Sequence, residues 1–248
     1  MTSELKVDKI TPASGTNTQI GEAGDTINLS TATVTLPSSI ISGQTELATT
    51  PADTDEFLIS DAGTLKRIDF SHIKTSPYYV QLANTTISDG DASEDFQNVF
   101  SSTYRNYLIL FEGITVNTNS ADLQLIFMKS DNSTPSEHTY AANGHFYGAD
   151  NNWTGSNSSN VTIMQGQGSG AGKQVSGFIN VFQPNFTTDG AQRYTWHVSV
   201  RRHDSNNGYV TGGGNNATNS ARTGFKVKCN SGTLGAGRVV VYGITNPS

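Results

Sequence analysis

One segment of the chain alternates apolar and polar residues at every position: Tyr194-Thr195-Trp196-His197-Val198-Ser199-Val200-Arg201. A period of two places every second side chain on the same face of an extended backbone. The segment therefore predicts a β-strand with one face in a core and the other in water. Shorter runs, Val175–Phe182 and Val239–Ile244, also read as strands.

The same alternation recurs in three further sets of residues that should share a buried face. These sets are Tyr107, Ile109 and Phe111; Leu123, Leu125 and Phe127; and Phe225, Val227 and Cys229. Thr, Ser, Gly and Asn make up 105 of the 248 residues, and only 15% are charged, against a typical share of about 25%. Surface helices need charged helix formers, so this composition disfavours helical and α/β folds. The sequence predicts an all-β protein.

Three parts of the chain differ in pattern. Residues 1–50 contain short runs of apolar residues, each too short to form a hydrophobic core. This pattern favours strands that are intertwined in a trimer or docked on a neighbouring protein; disorder is the alternative. Residues 51–76 predict a hairpin, Phe57–Ser60 and Leu65–Ile68 around Asp61–Thr64, followed by a short helix. Residues 77–248 predict a β-sandwich of jelly-roll type.

Three Gly/Asn/Ser-rich segments are expected to be loops of this sandwich: Asn151–Asn160, Gly166–Gly172 and Asn206–Asn219.

Charge and hydrophobicity exclude several classes of partner. The net charge of −6 argues against nucleic-acid binding, which needs a basic face. No apolar run approaches the length of a transmembrane helix, and the N-terminus lacks the pattern of a signal peptide. The single cysteine, Cys229, cannot form an intrachain disulfide and is expected to be a buried thiol.

Motifs that carry chemistry are not found. Gly166–Lys173 lacks the spacing and the terminal hydroxyl residue of a phosphate-binding loop. Asp89–Asp95 lacks the Gly and Glu that a calcium loop needs at its later positions. The five histidines lack zinc-motif spacing. We expect neither an enzyme, nor a cofactor, nor a metal site.

Aromatic residues in the predicted polar loops are the candidate binding residues. Tyr147, Asn152, Trp153 and Tyr209 lie among small polar residues and are expected to be exposed. Aromatic rings are rigid contact anchors and stack on sugar faces, while amides supply hydrogen bonds. The alternative is that these rings cover loop or subunit contacts.

Several segments resemble fibre proteins of tailed bacteriophages, especially of marine and cyanobacterial hosts. The N-terminal Leu5–Thr16 (LKVDKITPASGT) resembles their N-terminal segments, and Pro51–Ile68 (PADTDEFLISDAGTLKRI) resembles a short module that recurs in them. Phe96–Ile109 (FQNVFSSTYRNYLI) and Gly237–Ile244 (GRVVVYGI) are similar to segments of the same proteins.

The resemblance implies a homotrimeric virion protein that is made in the host cytoplasm. Residues 1–50 would attach it to other virion proteins, and a C-terminal β-sandwich head would face a host surface glycan or protein. The short chain leaves room for only a short shaft, so a capsid-decorating, neck or adaptor protein without a host ligand is the alternative. A polysaccharide hydrolase of the tailspike kind is a third hypothesis. The sequence shows neither the solenoid repeats nor the cluster of acidic residues that would support it.

Overall fold

The computed structural model describes residues 45–74, 77–170, 172–187, 192–216 and 220–245. The expectations for residues 1–50 therefore lie almost wholly outside the described residues. The described chain divides after Lys74 into two compact units, each treated separately below. The sequence placed this boundary after residue 76.

The N-terminal unit contains a two-stranded hairpin and one helical turn, as predicted. Its elements are β1 (Glu56–Asp61), β2 (Thr64–Asp69) and α1 (Phe70–Ile73). Ala62 and Gly63 form the two-residue turn with φ of 48° and 84°, the left-handed conformations that twist a hairpin turn correctly. The helix follows Asp69, whose side chain makes no capping hydrogen bond.

The C-terminal unit is built from twelve strands. They are β3 (Tyr79–Ile87), β4 (Ser93–Phe96), β5 (Asn106–Ile114), β6 (Ala121–Met128), β7 (His138–Phe146), β8 (Ala149–Ser158), β9 (Val161–Gln167), β10 (Val175–Phe182), β11 (Arg193–Arg201), β12 (Asn207–Asn216), β13 (Gly224–Cys229) and β14 (Gly237–Ile244). They form an eight-stranded sheet, β3-β14-β5-β10-β11-β12-β7-β8, and a four-stranded sheet, β4-β13-β6-β9. All the strand pairs are antiparallel.

The two sheets enclose one hydrophobic core, which makes the unit a β-sandwich. Rings from the larger sheet, such as Trp196, meet residues of the smaller sheet, such as Ile163 and Phe127, in a single buried cluster. The Trp196 indole N–H donates a hydrogen bond to the Ile163 carbonyl at 3.1 Å, which joins the layers. The three predicted sets of face-sharing residues are all buried, and strand β11 alternates exposed and buried along its whole length.

Two segments predicted to be loops are strands. Asn151–Asn160 lies mostly within β8 and Asn206–Asn219 mostly within β12. In β12 the small residues make room for neighbouring rings: a Cβ on Gly212 would lie 2.1 Å from Cζ2 of Trp196. The glycines that suggested a flexible loop are therefore accommodating large side chains of the adjacent strand.

Within the described ranges, no helix is both long and apolar enough to cross a membrane.

Candidate functional site

The C-terminal unit has two distinct ends. The Thr245 amide donates a hydrogen bond to the Tyr78 carbonyl, so the start of β3 and the end of β14 lie together. The antiparallel registers place the opposite end, called here the distal end, at the connections that follow β3, β5, β7, β9, β11 and β13. A surface at the distal end faces away from the point where the chain enters this unit.

Tyr147 lies at the distal end, in the two-residue turn between β7 and β8. Its side chain is 85% exposed. Its amide donates a hydrogen bond to the Asn207 carbonyl at 3.0 Å, which ties the turn to β12. Tyr147 thus combines an accessible ring with an anchored backbone, as a contact residue requires.

Tyr209 belongs to a line of four rings on the outer face of the larger sheet. The ring row is defined as His145, Tyr209, His197 and Phe178. Successive centroids are 5.0, 5.3 and 6.1 Å apart, with interplanar angles of 34°, 22° and 25°. The row crosses strands β7, β12, β11 and β10, so it is fixed by the sheet register.

The row continues into a charged group at one end. His145 Nδ1 lies 3.3 Å from Asp150 Oδ1 on β8; the His145 side chain is 42% exposed and that of Asp150 66%. The Asp150 carboxylate therefore places an acidic group beside the His145 imidazole at this end of the row. Among the described residues, no three His, Cys, Asp or Glu side chains cluster closely enough to hold a metal ion.

Asn152 lines an open depression beside the ring row. The depression has a volume of about 440 Å³ and is lined by Ala141, Ala142, Asn143, Asn152, Thr154, Thr211 and Gly212. Asn143 lies directly opposite Asn152 on one side and Thr211 on the other. The lining therefore offers amides and hydroxyls over a floor of small side chains.

The expectation that Trp153 is exposed is wrong. Trp153 is buried in the core, and its indole N–H donates a hydrogen bond to the Thr162 carbonyl at 2.9 Å. Because residues 149–158 form a strand, Asn152 and Trp153 must point to opposite faces. Had residues 149–158 been predicted as a strand, the sequence alone would have placed Asn152 and Trp153 on opposite faces.

A second, polar pocket of about 220 Å³ lies at the distal end. Its lining consists of Ser120, Asp122, Asn151, Gln165, Gly166, Arg202 and His203. The Asp122 carboxylate accepts hydrogen bonds from the Gly166 amide and the Asn230 side chain, and the Arg202 guanidinium lies 4.8 Å from the centre of the Phe146 ring. The Asp122 carboxylate is thus occupied by contacts within the protein, whereas Nε of Arg202 is buried and has no hydrogen-bond partner among the described residues.

Most residues of the ring row and of the depression were not predicted from the sequence as candidate binding residues. His145, His197 and Phe178 lie at outward positions of predicted strands or beside predicted loops, but their alignment depends on the pairing of distant strands. The signal that could have found His197 was its place among the polar positions of the alternating segment. Nothing local pointed to Asn143 or Thr211.

Comparison of the chain with protein-family models, with curated proteins and with solved structures found no match in any of the three.

Proposed function

We propose that the protein is a structural fibre of a tailed-bacteriophage virion that binds a host surface receptor through its C-terminal unit. Residues 1–50 would attach the fibre to other virion proteins. The observation that carries the proposal is the exposure of Tyr147 in the β7–β8 turn at the distal end, of Asn152 on β8 and of Tyr209 on β12. A rigid sheet that displays aromatic anchors away from its chain entry suits attachment to a surface.

Two of the four segments that resemble phage fibres come together in this unit. The second half of Phe96–Ile109 enters β5, and Gly237–Ile244 is β14, which pairs with β5 along its length. These two central strands belong to the scaffold. Tyr147, Tyr209 and the depression lie on β7, β8, β12 and the β7–β8 turn, so the proposed receptor-contacting residues can vary without disturbing the part that carries the resemblance.

The homotrimer is supported by an apolar area on the outer face of β3, β14, β5 and β10, called here the apolar half-face, which the exposed Glu112–Arg238 ion pair borders. Phe178, Phe182 and Tyr79 keep between 37% and 48% of their surface exposed there, with Leu108 and Leu110 between them. Contiguous exposed apolar surface is typical of subunit contacts. Copies of the chain would cover it in the trimer, and the long-range strand pairing is compatible with jelly-roll topology.

The test measures assembly and adsorption with the full-length chain. Light scattering should give three times the 26.4 kDa of one chain. Tyr147→Ala and Tyr209→Ala should keep this mass but weaken competition with virions for host cells, because loss of an aromatic anchor costs about 1–2 kcal/mol at each contact. Lys228→Ala, on the smaller sheet, is the control and should leave adsorption unchanged.

Each contrary outcome has a definite meaning. A folded monomer would contradict the trimer. Unchanged adsorption in both tyrosine variants would contradict receptor binding and favour a capsid-decorating, neck or adaptor protein. Trp153 is excluded from this test, because truncating a buried Trp costs about 3–5 kcal/mol of stability and would confuse folding with binding.

A further inference from the structure

We infer that the open depression beside the ring row is a binding site for a neutral saccharide. This inference rests on the proposed function, since the saccharide would be part of the host receptor. The ligand class follows from the lining of the depression, from one buried atom of Asn143 and from the neighbouring rings.

The lining matches the hydrogen-bonding pattern of a polyhydroxyl ligand. Asn143, Asn152, Thr154 and Thr211 supply amide and hydroxyl groups that both donate and accept. Ala141 and the Gly212 backbone supply a flat floor on which the C–H groups of a sugar ring can pack. The volume of about 440 Å³ is within the usual range for a small-ligand site, about 300–1,000 Å³.

The side chain of Asn143 carries an unused acceptor. Its Oδ1 atom is buried and has no hydrogen-bond partner within the described part of the chain. A buried acceptor without a donor costs about 1–3 kcal/mol, and few such groups occur in native structures. A rotation of the Asn143 amide toward the depression would let Oδ1 accept a hydrogen bond from a ligand hydroxyl and recover part of this cost.

The ring row forms a stiff wall beside this lining. The Tyr209 and His145 rings are tilted by 34° with centroids 5.0 Å apart, and Tyr209 and His197 stack at 5.3 Å, so each ring restricts its neighbour. Pre-ordered rings lose little conformational entropy when a ligand packs against them. Their apolar edges would contact the C–H groups of a sugar that lies on the floor of the depression.

The charge distribution selects a neutral ligand. The residues that line the depression carry no charge, so an acidic saccharide would find no cation there. It would instead approach the exposed Asp150 carboxylate at the end of the ring row. Burial of a carboxylate without a cationic partner is unfavourable.

The experiment applies the full-length protein to an array of immobilised neutral oligosaccharides, built from glucose, galactose, mannose and N-acetylglucosamine, with sialylated and uronic-acid oligosaccharides beside them. We expect binding to a subset of the neutral probes only. Ala141→Phe fills the exposed floor with a residue that strands tolerate and should weaken this binding at least about tenfold, or 1.4 kcal/mol. Lys228→Phe, which puts the same ring on the smaller sheet, should have no effect.

A second variant separates ligand binding from folding. Asn143→Leu removes the unused acceptor at similar volume, so it should abolish saccharide binding while the thermal midpoint stays equal or rises. If saccharide binding and the thermal midpoint both fall, Asn143 has only a structural role and its assignment to the site is overturned.

Failure of the inference can be told apart from failure of the proposed function. Three results would overturn the saccharide site: the protein binds no neutral probe, it binds acidic probes only, or the Ala141→Phe variant binds the neutral probes as tightly as the unmodified protein does. If the Tyr147 and Tyr209 variants still lose host adsorption in that case, receptor binding stands and the receptor contact is of another kind. If host adsorption is also unaffected by those variants, the receptor-binding function itself is wrong.

Discussion

At the residue scale, the most informative group is His138, the first residue of β7, whose side chain is fully buried. Its Nδ1 lies 2.6 Å from Asn216 Oδ1, so the ring donates there, and its Nε2 has no partner among the described residues. Asn216 Nδ2 in turn donates to Gln192 Oε1 at 3.1 Å. Burial, with the nearby Arg222 guanidinium, lowers the pKa of His138 from 6.5 to about 4, although the Asn216 contact and the Glu137 charge oppose the shift.

This pKa shift predicts a loss of stability in mild acid. Because the unfolded state takes up the proton near pH 6.5 and the folded state only near pH 4, stability should fall as the pH drops through this interval and then level off. The full effect is about 3 kcal/mol, at 1.36 kcal/mol per unit. Urea unfolding across the interval measures it. His138→Gln keeps a donor for Asn216 and should flatten the dependence; an equally steep profile would assign the effect to other groups.

Cys229 gives a second prediction at this scale. Burial raises the pKa of its thiol to about 11, and only the thiolate is nucleophilic. We therefore expect the native protein to react with a thiol reagent at slightly alkaline pH far more slowly than the urea-unfolded chain. Comparison of the two labelling rates by mass spectrometry checks this. Equal rates would mean that β13 opens readily or that the thiol is exposed.

At the scale of single elements, strand β12 shows how glycine can specify a sheet. Gly212 faces the Trp196 ring, where a Cβ would lie 2.1 Å from Cζ2, whereas a Cβ on Gly213 would lie 3.3 Å or more from its neighbours. The two positions differ in side-chain space while sharing the same strand and the same propensity. They form a matched pair for testing packing.

Gly212→Ala should destabilise the protein by about 1–3 kcal/mol, since the added methyl group forces Trp196 out of its position. Gly213→Ala should change stability by a few tenths of a kcal/mol, because its Cβ points outward and strands slightly prefer Ala over Gly. Equilibrium urea unfolding of both variants measures the difference. Similar losses in the two variants would mean that backbone freedom, and not the ring contact, requires glycine here.

At the scale of the whole molecule, the outer face of the larger sheet divides into two halves of different chemistry. Strands β3, β14, β5 and β10 form the apolar half-face, and β11, β12, β7 and β8 present Thr, Asn and Gly around the ring row. Under the proposed function, the apolar half-face would serve self-association and the other half would contact the ligand. Phe178 lies at the boundary and belongs to both surfaces.

A charge placed on the apolar half-face should dissociate the proposed trimer without unfolding the chain. Phe182→Glu puts a carboxylate on β10 at a position where the ring is 37% exposed. The stability of the isolated chain should therefore change little, whereas burial of the carboxylate in a subunit interface should destabilise the trimer by several kcal/mol. Light scattering should show a lower mass with unchanged far-ultraviolet circular dichroism. Thr195→Glu, on the adjacent polar strand, is the control. A Phe182→Glu trimer would place the subunit contact elsewhere.

The sequence alone determined what depends on neighbouring residues. Alternation predicted strands β10, β11 and β14 and the buried faces of β5, β6 and β13, and the Asp61–Thr64 turn predicted the hairpin. These predictions succeeded because a period of two and the backbone of a tight turn are properties of a few consecutive residues.

Tertiary structure decided what depends on contacts between distant segments. Trp153 is buried because β8 pairs with β7, and β12 is a strand because the rings of β11 fill the space above its glycines. The ring row exists only because strands far apart in sequence pair in one register. Register is set by the packing of the whole core and leaves no mark in the local pattern of any one strand. For that reason the sequence pointed to Tyr147, Asn152 and Tyr209, and only the folded sheet brought Asn152 and Tyr209 together with Asn143, His145 and His197.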